Sequence, residues 1–284
     1  MNSILFLTVV FLYLSKLSRQ STLIEELINI RIFFSDILLV TKYNFDCSFK
    51  LVDIHDRIWS KVFLHRLYVG PWKEQQIESF KEKLNNSAMF LQLNDKFGKG
   101  IVAYETLIQV MNNSINYGNF TGYFYKHDDM AINMRSLYQK LNLSKHYIWA
   151  SYRHANPGTV HLNSSVIDGW PWDDFFGKPA ALNIISNNEN IRKKLINCTG
   201  DINKWYVGDG DLMYIPKTES KNFIEVFSYF LSYNFFLEMA IPTFFECFST
   251  IPFQTIPMCG LRMHLDIFYK GNDRYFFILF ALLF

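Results

Sequence analysis

Gly122-Tyr123-Phe124-Tyr125-Lys126-His127-Asp128-Asp129-Met130 is an aromatic, β-forming run that ends abruptly on charge. Its composition reads as a short strand over Gly122 to Lys126, which delivers His127, Asp128 and Asp129 at its carboxyl end. Upstream, Val62 to Val69 reads as a strand stopped by Gly70-Pro71. Ile77, Phe80 and Leu84 then recur at helical spacing through Lys73 to Asn85, and Leu107, Ile108 and Met111 mark another short helix. Downstream, His146 to Ser151 reads as a strand and Asn188 to Leu195 as a helix. Leu212 to Ile215 reads as a strand entered from Gly208-Asp209-Gly210-Asp211, and Asn222 to about Met239 as one long apolar helix ended by Pro242. Leu23 to Val40, an apolar run broken by Glu25, Glu26, Arg31 and Asp36, reads as an amphipathic helix. Strands alternating with helices predict an α/β sandwich: a mostly parallel central sheet with helices on both faces.

Half of the 284 residues are apolar, enough for a substantial core, and the formal charge of +2 provides no broad field for nucleic acid. Cys47, Cys198, Cys247 and Cys259 are too few for a disulfide scaffold and too widely spaced for a zinc site. They allow three complete pairings, among which Cys247 with Cys259 is the expected bond if one forms.

Ile4 to Leu14 is an apolar run with the length of a signal-peptide core. The expected division is a signal anchor or signal peptide over 1–20, a helical stem over 21–60 and an α/β domain over 61–284. An anchor would attach the chain to a membrane, and a buried N-terminal helix or strand is the alternative. Asn-x-Ser/Thr triplets begin at Asn85, Asn112, Asn119, Asn142, Asn163 and Asn197. Chance predicts about 2.5 from the Asn, Ser and Thr content, so the excess favours N-glycosylation and a lumenal face for residues 85–199.

Adjacent carboxylates at a strand end repel unless a cation or hydrogen-bond donors neutralise them. Oxygen ligands suit Mn2+ or Mg2+, which bridge to a diphosphate, so a nucleotide-sugar donor is the natural guest of Asp128 and Asp129. His127 would assist as a neutral ligand or donor. The competing reading of an Asp pair is a helix cap on a solvated surface. In Asp209-Gly210-Asp211, glycine admits a close ligand while the carboxylates orient acceptor hydroxyls. Glu238, within an otherwise apolar helix, is the candidate general base beside Asp211, or else a carboxylate paired to a backbone group or an arginine. Trp170, Trp172, Asp173 and Asp174 form a candidate sugar-facing loop. Glycoside hydrolysis would need two separate carboxylates to converge across one bond.

The stretch from about Phe63 to Phe248 resembles a family of secretory-pathway proteins related to the STELLO-type glycosyltransferases. The likeness rests on Gly70-Pro71-Trp72, GYFYKHDDM, DGDLMYIP at 209–216 and Leu237 to Thr243. It implies a glycosyltransferase A-like fold, a Golgi membrane location and transfer of a sugar from a nucleotide-sugar donor to a glycan or protein acceptor. It also implies that Asp128 and Asp129 serve as the metal and diphosphate motif, although the strict Asp-x-Asp form is replaced by His-Asp-Asp. The alternative is a catalytically inactive lumenal protein that keeps the scaffold for binding or assembly.

Overall fold

The structure, a computed structural model, describes residues 24–44, 46–93, 103–128, 130, 132–140, 143–152, 158–164 and 175–257. Residues 24–34 are helical (α1), and β1 (Ile37–Lys42) follows after one turn. Then come α2 (Phe49–Trp59), β2 (His65–Gly70), α3 (Glu74–Lys83), β3 (Met89–Gln92), α4 (Tyr104–Asn112), β4 (Gly122–His127) and α5 (Met134–Lys140). β5 (Ile148–Tyr152), β6 (Gly158–His161), α6 (Lys178–Asn187), α7 (Glu189–Thr199), β7 (Lys204–Val207) and β8 (Leu212–Pro216) lead to α8 (Ser220–Ser232), α9 (Leu237–Cys247) and β9 (Phe253–Pro257).

Seven strands form one sheet in the order β3-β2-β1-β4-β8-β5-β9. β1 pairs in parallel with β2 and β4, β2 with β3, and β5 with β9, whereas β8 runs antiparallel to both β4 and β5. β6 and β7 form a separate antiparallel pair. Helices α4, α6, α7, α8 and α9 bury one face of the large sheet, and α1, α2, α3 and α5 the other. The α/β architecture, mostly parallel with helices on both faces, is as the alternation of patterns predicts.

Three local expectations change. The expected helix over Leu23 to Val40 stops at residue 34, and its last four residues, Ile37 to Val40, open β1, all six of whose residues are buried in the interior of the sheet. The sheet therefore takes in residues assigned above to a stem. A strand covered on both faces reads as an unbroken apolar run, so ILLV carries no alternation to distinguish it from the helix before it. The long helix expected over Asn222 to Met239 is two: Asn234, at φ 54°, takes the left-handed conformation that terminates α8. Pro242 lies inside α9 rather than after a helix. Finally, Cys247 bonds Cys198 and not Cys259, because the ends of α9 and α7 pack side by side with the two Cα atoms 5.3 Å apart. Cys259 lies outside the described residues, as do residues 1–23 with their expected anchor. Among the described residues no helix is long and apolar enough to cross a membrane.

Elsewhere the capping chemistry is local. Asn188 caps α7 by accepting from Ile191 N at 2.9 Å, and Gly200, at φ 72°, closes it.

Candidate functional site

From β1 the chain steps outward through β2 and β3, and then returns to the other side of β1 as β4. In an open parallel sheet such a reversal leaves a crevice at the carboxyl ends of the two strands on either side, because their outgoing loops diverge. Here those ends are Lys42 and His127, direct partners in the ladder, and Asp128 N extends the pairing by donating to Lys42 O at 2.9 Å. Since β8 is antiparallel to β4, its entry loop, Gly208 to Asp211, opens at this same edge.

On the face covered by α8 and α9, His127 is buried, 6% exposed, with Nδ1 3.2 Å from Asp211 Oδ1 and Nε2 2.7 Å from the Tyr125 hydroxyl. A carboxylate has no proton to offer, so Nδ1 carries one; in the neutral ring Nε2 then accepts from Tyr125. His127 N also donates to Asp211 O at 3.2 Å, so backbone and side chain both hold Asp211 beside β4. Lys42, 1% exposed, lies next to His127 in the ladder and on the same face of the sheet.

The Asp209-Gly210-Asp211 loop is shaped by α9. Proline lacks an N–H, so Pro242 cannot donate to the carbonyl of Glu238 four residues earlier. That carbonyl instead accepts from Gly208 N at 2.8 Å. One turn on, the Thr243 hydroxyl accepts from Tyr206 N at 3.1 Å and lies 3.2 Å from Tyr206 O, tying β7 to the same helix. Gly210 is required by space: a Cβ there would lie 2.9 Å from Leu237 Cγ and 3.3 Å from its Cδ1. Leu237 is 3% exposed and cannot swing aside, so Gly210→Ala is expected to cost about 1–3 kcal/mol through overpacking. Urea denaturation of the variant beside the parent measures this.

On the opposite face the charge of Asp128 acts on Tyr43 and Cys47. Burial, reinforced by that charge, pushes the Cys47 thiol up to about 12, and burial with neighbouring negative groups raises Tyr43 well above the phenol range. Lys126, fully buried, places Nζ 5.5 Å from the centre of the Trp59 ring. Burial and then the Lys126 charge lower His55 to about 3, so the imidazole that shares a 2.6 Å hydrogen bond with the Tyr43 hydroxyl is uncharged. Gly70-Pro71-Trp72 belongs to this layer. Trp72 folds back over Gly70, where a Cβ would meet the indole at 2.8 Å, and it is wholly buried against Tyr43, Phe80 and Phe90.

The sequence-derived candidates thus divide. His127, Asp128, Asp209 and Asp211 come to one edge of the sheet; Asp209 is 6% exposed, and the Asp211 side chain 34%. Glu238 joins them through its backbone, but it stands in the first turn of α9 and not near the end of a long helix. Asp129, Trp170, Trp172, Asp173 and Asp174 lie outside the described residues. Lys42 and Lys126, two lysines buried at the acidic edge on opposite faces, escaped the sequence reading. The signal was present: Lys42 is the last residue of β1 and Lys126 the last but one of β4, each a cation at the end of a strand-forming run. Among the described residues no three His, Cys, Asp or Glu side chains converge to hold a metal ion. No protein-family model matches this chain, and no curated protein matches it.

Proposed function

We propose that this domain is a lumenal, metal-dependent glycosyltransferase of the A-type fold. It would be held at a Golgi membrane by its N-terminal segment and transfer a sugar from a nucleotide-sugar donor to a glycan or protein acceptor. The observation that carries this reading is that Asp128, just after β4, and Asp209 and Asp211, in the loop that enters antiparallel β8, share one edge of the sheet, the carboxyl edge where its strand order reverses. Buried Lys42 and Lys126 add positive charge to that edge, as a diphosphate requires.

The described carboxylates do not make a complete ligand cage. That suits Mg2+ or Mn2+, which bind through one or two carboxylates and fill their remaining positions from water and substrate phosphates. Asp128, with Asp129, would hold such an ion, which supplies Lewis acidity toward the leaving diphosphate. Asp211 takes the proton of the acceptor hydroxyl as its oxygen attacks the anomeric carbon and the bond to the diphosphate breaks. His127 positions the Asp211 carboxylate, and Tyr125 holds the His127 tautomer. Glu238, the general base expected from the sequence, contributes its backbone carbonyl to the loop that carries Asp211.

The lumenal location is supported by the Cys198–Cys247 bond, which suits an oxidising compartment. Asn85, Asn112, Asn119, Asn163 and Asn197 are all exposed, while Asn142 lies outside the described residues.

Calorimetric titration with UDP and GDP, with and without Mn2+, tests the donor site. Nucleotide binding should require the metal and weaken at least about tenfold in an Asp128→Ala, Asp129→Ala double variant. A well-folded protein that binds neither nucleotide in Mn2+ would sink the transferase reading and leave the non-catalytic scaffold in its place.

A further inference from the structure

Asn85 precedes β3, and Asn112 and Asn119 precede β4, so these three acceptor triplets lie at the amino edge of the sheet, opposite Asp128 and Asp211. Asn112 differs from the other two in its surroundings. It closes α4 on the rim of a cleft of about 450 Å³ whose walls include Ser114, Tyr123, Lys217, Ser220 and Lys221. Tyr123 is 1% exposed, yet its hydroxyl has no hydrogen-bond partner, and neither does the buried hydroxyl of Ser220 at the start of α8. Leaving two such groups unpaired is costly, and native structures rarely do so without a ligand or ordered water.

We propose that Asn112 carries an N-linked glycan whose first N-acetylglucosamine units lie in this cleft. The proposal rests on the lumenal part of the reading above and not on donor binding. Asn112-Asn113-Ser114 is a complete acceptor triplet. On the unfolded chain, Asn112 Nδ2 bonds to the anomeric carbon of a lipid-diphosphate-linked oligosaccharide and loses a proton, and the lipid diphosphate departs. Once the chain folds, the sugar starts at the cleft mouth. The acetamido carbonyl and ring hydroxyls accept from Tyr123 and Ser220, Lys217 and Lys221 donate to further hydroxyls, and Ile224 offers an apolar patch to the acetyl methyl. Asn85 has a complete triplet but does not line this cleft, which makes it the internal control.

The test uses the full chain expressed in a secretory eukaryotic host. Occupancy is read at each asparagine by peptide mass spectrometry after enzymatic glycan release in 18O water, which marks every deglycosylated site as labelled aspartate. Asn112 should be occupied. Asn112→Gln and Ser114→Ala should each lower Tm by about 2–4 °C, whereas Asn85→Gln should leave it unchanged. Tyr123→Phe should lower Tm in the parent and lose that effect in the Asn112→Gln background, because the two act through one contact. A chain glycosylated elsewhere but bare at Asn112 would overturn this inference alone, as would equal Tm values for Asn112→Gln and Asn85→Gln. A chain bare at every triplet would overturn it together with the lumenal location, leaving donor binding to be judged by the titration above.

Discussion

Asp56→Ala should lower the free energy of unfolding by about 3–5 kcal/mol, because it strands a buried guanidinium. Arg66 Nε donates to Asp56 Oδ1 at 2.7 Å, and the two side chains are 6% and 9% exposed. Tyr68 donates to the same oxygen at 3.0 Å, while the other nitrogens of Arg66 reach Phe63 O at 2.9 Å and Ser87 O at 2.8 Å. Alanine removes the counter-charge and leaves the cation behind. Its cost is therefore far above that of an exposed pair such as Arg57 with Asp53, which should contribute less than about 1 kcal/mol. Urea denaturation with unchanged m-value measures the difference. An Asp56→Leu, Arg66→Met pair should recover much of the loss, because it removes both charges at once. A cost below about 1 kcal/mol for Asp56→Ala would mean that the network does not brace α2 against β2 and β3.

The neighbouring residue should govern acid sensitivity. His55 has a folded pKa of about 3 against an ordinary 6.5, lowered by burial and then by Lys126. Between these values the unfolded chain binds a proton that the folded chain refuses. Stability from this group is complete above pH 6.5 and is lost as pH falls toward 3. The full loss is on the order of 4–5 kcal/mol. Denaturant midpoints measured from pH 7 to 4 should fall steeply in the parent, and part of that slope should vanish in His55→Asn. Identical slopes would place the acid-labile group elsewhere. Both residues bear on the site: His55 supports Tyr43 at the end of β1, and Asp56 holds β2, so together they brace the strands that end at the acidic edge.

Four strands, β2, β4, β5 and β8, were legible, whereas β3, β6, β7 and β9 were not assigned, and punctuation is what marked three of the four. Gly70-Pro71 stops β2, charge stops β4, and an Asp-Gly turn opens β8. β1 and α2 were not legible. β1 joins α1 without a proline or glycine between them, and the buried stripe of α2 consists of Val52, His55, Asp56 and Trp59, in which half the positions are polar. Those positions are buried because Arg66, Tyr68 and Tyr43 arrive from other elements to satisfy them, a condition that no local pattern encodes. The boundary between α8 and α9 could have been found, since an asparagine in the left-handed conformation is a known helix stop, but the apolar content on both sides concealed it.

The sequence by itself determined that an α/β sheet forms and that carboxylates stand at the ends of its strands, since strand-forming segments, turns and the residues that follow them are local properties of the chain. Only the tertiary structure decided that β8 enters antiparallel beside β4, which brings Asp211 to His127 and puts Asp209 at the same edge as Asp128. It alone decided that Pro242 frees a carbonyl to anchor Gly208, that Cys198 rather than Cys259 meets Cys247, and that Lys42 and Lys126 are buried on opposite faces near the carboxyl ends of β1 and β4. Each of these depends on which distant segments become neighbours, and that is set by the packing of whole faces.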